Sequence, residues 1–513
     1  MHQPYYVNLL TKETDYPWVR LHGTKDYLDM LQILEKYPKV KQTFNLVPSL
    51  LEQVEDYTHR TVKDKFLELS YKQAKLLTEQ EKDFILNNFF SINPDKVIFF
   101  SPRYFELYSK KKAGKEFSEQ DYLDLQVWFN LAWIDPSFRE SFPELKRVVR
   151  KARFFNEEDK HAVLDKHLVI LEEIIPAYKK AVHSQQVEVT VTPYYHPILP
   201  LLYNTNTTKE ANPRALLPRI GFSYPLDAKA QIDNAVSYFK DRFGAKPLGM
   251  WPSEEAVSEH ILPFIIQSGI KWIVADEAIL FKSLKRKKRD TELLYQPHLL
   301  KREEGDLNII FRDRNLSDLI GFSYSNWKPE HAVDDFMRHL EETAKVFDGK
   351  DIFVAIAMDG ENAWEYFVND GHDFLNLLYE RLSESKLITT ITPSQYLEKF
   401  PPKFEIKRLA AGSWIYGEFG KWIGNPQKIL AWEYLAKARK EFQEVLDNSD
   451  MCSAISDKLE LAWKQMYVLE GSDWFWWYGE DPNGSFDKLF RMHLSNFYTI
   501  LGKQIPDYLK KPI

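Results

Sequence analysis

Two short clusters carry the strongest chemical signal in the sequence: Trp251-Pro-Ser-Glu254-Glu255 and Met358-Asp359-Gly360-Glu361-Asn-Ala-Trp364-Glu365. A pair of carboxyl groups is what cleavage of a glycosidic bond requires. One protonates the leaving oxygen while the other attacks or stabilises the oxocarbenium-like centre. Trp251 and Trp364 offer flat apolar faces to sugar rings, and Gly360 lets the backbone approach closely. Taken singly, each cluster reads first as a set of acids capping a helix N-terminus. Their co-occurrence with aromatic residues favours chemistry.

A third cluster joins Glu188 to Tyr194, Tyr195 and His196. Such a set can hydrogen-bond sugar hydroxyls, move a proton or ligate a metal, but without an HxxxH pair no metal is expected. His2 and Gln3 read as a frayed tail. Asp276, Glu277, Arg312, Asp313 and Asp318 are explained by buried ion pairs more readily than by function. There is no GxxxxGK, no GxGxxG and no nucleophile elbow, so neither nucleotide-driven chemistry nor a cofactor is expected.

These clusters need strands to aim them. VEVTVTPYYHPILPLL from Val187 alternates in a β-branched pattern before a proline-punctuated loop. GMWPSEEAVS, GIKWIVADEAIL, DLNIIFRDRNLSDLIGFSY, DIFVAIAMDGENAWEYF and KLITTITPSQYL follow, each an apolar run leading into polar and helical residues. Strands alternating with helices predict an α/β fold with a parallel sheet, whose carboxyl ends collect functional residues. Residues from about Ser49 to Lys180, and those from about Pro401 onward, carry apolar positions at helical spacing and predict helices.

Composition narrows the class. The 513 residues hold 68 Lys and Arg against 75 Asp and Glu, a net charge of −7 with both signs mixed, and no nucleic-acid partner is expected. The basic run Lys282 to Arg289 reads as a solvated face. With 44% hydrophobic and 28% charged residues the chain is globular, and Cys452 alone rules out a disulfide scaffold. No apolar stretch approaches the roughly 20 residues of a membrane span. MHQPYY lacks the regions of a signal peptide, so a cytoplasmic protein is expected. The oligomeric state is left open. The 15% aromatic content, with 14 Trp, implies a large core and, within the acidic blocks, candidate sugar platforms.

HQPYY, VEVTVTPYYHPILPLL, GMWPSEEAVS, WIVADEAIL, MDGENAWE, GSWIYGEFGKWIGNPQKILAWEYL and GSDWFWWYGED together resemble glycoside hydrolase family 57, in its α-amylase/α-mannosidase-like branch that includes amylopullulanases. The resemblance spans His2 to about Arg491. It implies an incomplete (β/α)7 barrel over residues 1–400 with a helical insertion at about 50–180, then an all-α domain over 401–513 that completes the cleft. It also implies retaining hydrolysis of α-glucosidic, preferentially α-1,4, bonds in a glucan or oligosaccharide. Glu254 would be the nucleophile and Asp359 the acid/base, with Glu255 pointing elsewhere and the Asp359 acid raised in pKa. His2, Glu188, His196, Trp251, Arg312, Glu361, Trp364 and Asp473 would bind substrate. Trp414, Trp422 and Trp474 would close over the sugar or else pack the domain interface. Glucan transfer or branching, mannosidase or galactosidase specificity, a metal-dependent deacetylase and an inactive glycan-binding protein are the alternatives. The family's HQP motif ends a first strand, whereas only Met1 precedes it here, so either the chain begins upstream or that strand is lacking.

Overall fold

The computed structural model describes residues 1–361, 364–448 and 453–513, with no side chains described for 453–456. Cys452, and Asn362 and Ala363 of the second acidic cluster, lie outside the described residues. The chain is a helix-rich α/β structure with mixed sheets.

Six strands frame the site: β1 (Gln42–Asn45), β2 (Val187–Thr190), β3 (Gly249–Met250), β4 (Trp272–Asp276), β5 (His298–Arg302) and β6 (Gly305–Arg312). β1 and β2 run parallel with Gln42 opposite Val187 and Asn45 opposite Thr190. A parallel bridge from Val191 to Met250 carries the run to β3, which pairs with β4, and β4 pairs with β6. A last parallel bridge joins Arg312 to Ala355. The order β1-β2-β3-β4-β6 therefore follows the chain, and every connection is a crossover that returns to the same end. β5 is the exception: it forms an antiparallel hairpin with β6 across the turn at Gly305.

The strands are short but buried. Ile273, Ala275, Leu307 and Ile309 are fully enclosed, as parallel strands covered on both faces must be. Between β1 and β2 lies a run of helices from Pro48–Thr58 to Glu157–His183. Their starts are fixed by side chains: capping boxes form at Thr78 with Glu81, Ser118 with Asp121 and Asn156 with Asp159. The C-terminal helices Pro426–Asp447, Ser453–Leu469 and Ser485–Leu501 pack against one another and against the N-terminal segment, where His493 Nε2 meets the Tyr5 carbonyl at 3.0 Å.

Two expected strands do not form ladders. DIFVAIAM is extended but touches the sheet only through the Ala355 bridge, and KLITTITP has no strand. The reason is geometric. Ile352, Val354 and Ile356 face a cavity of about 480 Å³ that also meets Phe44 of β1, Phe336 and Leu378, and among the described residues no backbone pairs with the outer edge of this segment. Met1 sits at the upper end of that space. Its amine donates to the Asn45 carbonyl at 2.9 Å, and a side chain at Gly360 would come within 2.8 Å of its Cγ.

Candidate active site

β3 ends at Met250 and hands the chain to a tight turn in which Glu254 and Glu255 both adopt left-handed backbone, φ 57° and 51°. For a non-glycine residue that conformation costs about 1 kcal/mol or more, so the surroundings must hold it. They do: Glu255 N–H donates to the Pro252 carbonyl at 2.8 Å, and Trp414 N–H donates to the Glu254 carbonyl at 3.1 Å. The turn aims the two acids apart. Glu254 faces the cavity, while Glu255 is buried with neither carboxylate oxygen hydrogen-bonded among the described residues, and burial pushes its pKa far up.

The Glu254 carboxylate accepts a hydrogen bond from the Trp414 indole at 2.6 Å. Burial first, and then the Asp359 carboxylate, push Glu254 up to about 8, against the opposing pull of His2 and of the Trp414 N–H. Asp359 lines the same cavity from its mouth and is exposed to solvent. The Asp359 charge therefore acts on Glu254 across the cavity.

His2 is no frayed tail. Its ring stacks on His196, centroids 3.6 Å apart, and its Nε2 meets Asp473 Oδ2 at 3.1 Å. Burial opposes its charge, yet Asp473, Glu254 and Glu361 outweigh that penalty and raise its pKa. His196 is pushed the other way by burial and by its cationic neighbour, and its Nδ1 is tied to Ser472 Oγ at 2.8 Å. Glu361 anchors the backbone N–H of His2 at 2.8 Å and accepts from Tyr27 OH at 3.3 Å. Trp251 meets Trp414 edge to face at 5.6 Å, both on the cavity wall.

Arg312 is placed as a scaffold for this wall. Its guanidinium bonds Asp276 at 3.2 Å, Asp318 at 2.9 Å and the Ala357 carbonyl at 3.0 Å, and lies 5.1 Å from the Trp414 ring centre. The ion-pair reading of Asp276 and Asp318 is what the geometry gives.

Three expected site residues lie elsewhere. Glu188 sits near the start of β2, bound to Trp272 Nε1 at 3.1 Å and to Ser394, so it pins strand to helix away from the acids. Trp422 and Trp474 are fully buried, the latter donating to the Val468 carbonyl at 2.9 Å; they pack the helical region. Trp364 reaches the cavity wall but is 6% exposed, with its N–H on Met30 Sδ, so it supports the wall more than it offers a face. Ser472 and Tyr27 escaped the sequence reading, because a lone hydroxyl in a helical stretch carries no signal.

Donor atoms lie close enough to hold a cation in three groups among the described residues: His2, His196 and Asp473; His22, Asp26 and Glu365; and Asp29, Asp135 and His372.

Residues 1–408 match the profile of glycosyl hydrolase family 57. The chain belongs to that family. Among solved structures it is similar to a GH57-type branching enzyme from Pyrococcus horikoshii, with a TM-score of 0.64 at 16% identity, covering 97% of this chain and 88% of that one. The α-amylase AmyC from Thermotoga maritima gives 0.60 at 13% identity, covering 98% and 91%. At these identities the likeness is one of fold. A curated relative, alpha-amylase 1 of Dictyoglomus thermophilum, is 24% identical over 267 residues, 51% of this chain; the match spans only 32% of the relative's length. Among the described residues no helix of this family 57 chain is long and apolar enough to cross a membrane.

Proposed function

We propose that this family 57 member is a retaining glycosidase that cleaves α-glucosidic bonds, α-1,4 bonds first among them, in glucans or oligosaccharides. The observation that carries the reading is the shared cavity lined by both Asp359 and Glu254, the latter gripped by the Trp414 indole. Glu254 attacks the anomeric carbon while Asp359 gives its proton to the leaving oxygen; Asp359 then takes a proton from the water or sugar hydroxyl that releases the glycosyl-enzyme. In the free site burial and the Asp359 charge push Glu254 up to about 8, so it holds a proton near neutral pH. Attack needs the Glu254 anion, which the nearby imidazolium of His2 and the Trp414 N–H stabilise. His2 and His196 then line the sugar's polar edge, held by Glu361 and Asp473, with Trp251 and Trp414 on its apolar face.

The parallel run β1-β2-β3-β4-β6, with the extended segment at Ala355, fits an incomplete (β/α)7 barrel over residues 1–400, its helical insertion between β1 and β2 and its cleft completed by residues 401–513. Product analysis with maltoheptaose for wild type and Glu254→Gln tests the reading. Loss of turnover in the variant supports it, full activity overturns the nucleophile assignment, and products longer than the substrate mark glucan transfer by the same carboxyls.

One observation favours a second reading. His2, His196 and Asp473 present the one-aspartate, two-histidine donor set of a metal-dependent deacetylase. Acetate release from an acetylated oligosaccharide, abolished by a chelator, would establish it.

A further inference from the structure

Behind the loop that bears Asp359 and Glu361, three segments converge on a second polar centre. Asp29 lies on the helix Leu28–Glu35, Asp135 caps the helix Pro136–Ser141, and His372 opens the helix His372–Glu384. They are 2%, 0% and 7% exposed. One donor atom from each lies within 4.8 Å of the others, and His372 Nε2 stands 2.6 Å from Asp135 Oδ2.

The charges around this centre do not balance. Among the described residues, the permanent cations acting on Asp26, Asp29, Asp135, Glu365 and Asp370 are Lys25 and Arg139. Lys25 is already engaged, at 3.1 Å from Asp26 and 2.7 Å from Asp370, and His22 is committed to Asp26 at 2.6 Å. Asp29 is left over. Its Oδ1 is buried without a hydrogen-bond partner among the described residues. Burial, followed by the charges of Asp135 and Asp26, disfavours its ionised form strongly. An uncompensated buried carboxylate costs several kcal/mol, so Asp29 is held either by a proton or by a cation.

We propose that Asp29, Asp135 and His372 hold a divalent cation of the zinc or manganese class as a structural centre. One imidazole nitrogen and two carboxylate oxygens suit such borderline ions, whereas Ca²⁺ and Mg²⁺ take all-oxygen shells. Against the expectation of no metal, the centre has a mechanical role. It ties the helix that follows the His2 segment, and the helical insertion, to the stretch 364–372, the continuation of the chain from Asp359. That stretch needs tying: Asn369, Asp370 and Gly371 are all left-handed, and Gly371 lies so close to the Trp364 ring that a Cβ would sit 2.6 Å from it. The inference does not depend on the glycosidase reading.

The full chain, produced in medium supplemented with Zn²⁺ and purified without chelator, is analysed for metal by mass spectrometry. About one ion per chain is expected, falling at least tenfold in Asp29→Asn and in His372→Gln and unchanged in His196→Gln. Protein produced with Mn²⁺ should give an echo-modulation signal from a single imidazole nitrogen, lost in His372→Gln. That signal is read on wild type even if Asp29→Asn fails to fold. Metal-free wild type under supplementation, an ion retained in both Asp29→Asn and His372→Gln, or one lost in His196→Gln would overturn the proposal. So would an Asp29→Asn variant melting higher than a metal-free wild type, since that outcome assigns a shared proton to the site.

Discussion

Trp414 holds Glu254 at two points: its indole N–H donates to the carboxylate at 2.6 Å and its backbone N–H donates to the Glu254 carbonyl at 3.1 Å. A residue 160 positions downstream thus fixes both the strained turn and the charge state of the acid it presents. Trp414→Phe keeps the ring and deletes the side-chain hydrogen bond. A bond to a charged group contributes about 1.5 to 3 kcal/mol, so kcat should fall about 10- to 100-fold. Because the indole N–H favours the anion, the Glu254 pKa should also rise above about 8. The kcat/KM profile against pH reports both, and an unchanged profile would show that the bond does not act on the nucleophile.

Replacing Glu254 should stabilise the fold. Glu254 has a folded-state pKa of about 8 against an ordinary 4.5, so the folded state keeps a proton that the unfolded chain releases between those values. Wild-type stability therefore declines as pH rises from about 4.5 to about 8. Glu254→Gln removes that decline, with a gain at pH 8 bounded at about 5 kcal/mol by about 1.4 kcal/mol per pH unit. Urea unfolding of both proteins at pH 5 and pH 8 measures it; equal stabilities at pH 8 would contradict the raised pKa.

Asp359 contributes to that shift second only to burial. In Asp359→Asn the Glu254 pKa should fall below about 8. An aryl glycoside needs little acid assistance, so the burst of phenol release isolates attack by Glu254. Its rate should reach a plateau at lower pH in the variant than in wild type, and identical limbs would show that the two acids are uncoupled.

His2 gains its charge from Asp473, with a folded pKa raised above the ordinary 6.5 despite burial. Its contribution to stability is fully present below pH 6.5 and is lost as pH rises through the raised value. Asp473→Asn should lower the His2 pKa, and a ¹⁵N NMR titration of the imidazole checks the direction.

Arg312→Ala strips one of two guanidinium partners from the buried Asp276 and frees the Ala357 carbonyl. Breaking such a pair costs about 3 to 5 kcal/mol. The loss should appear in thermal unfolding before any test of activity, and an unchanged melting temperature would contradict the scaffold role.

The carboxylate clusters were legible because strand-end chemistry leaves a local mark: an apolar run, then acids beside tryptophan. Glu188 was misplaced because alternation along β2 says which residues share a face, not which end of the strand meets the cavity. For Trp422 and Trp474 the sequence left sugar contact and packing equally open, because an aromatic at helical spacing looks the same whether it faces a cleft or, as Trp474 does, Phe490 and His493. The left-handed turn at Glu254 and Glu255 contains no glycine, so nothing in the sequence announced it. Asp29, Asp135 and His372 come from three segments whose meeting depends on tertiary packing, which spacing alone does not encode.

The central claim, a glycosyl-enzyme on Glu254, is tested most directly by trapping. Incubation with 5-fluoro-α-glucosyl fluoride, followed by peptide mass spectrometry, should place one fluoroglucosyl group on Glu254, with NMR of maltooligosaccharide hydrolysis giving first products of retained α configuration. A label on Asp359, or products of inverted configuration, would contradict the account.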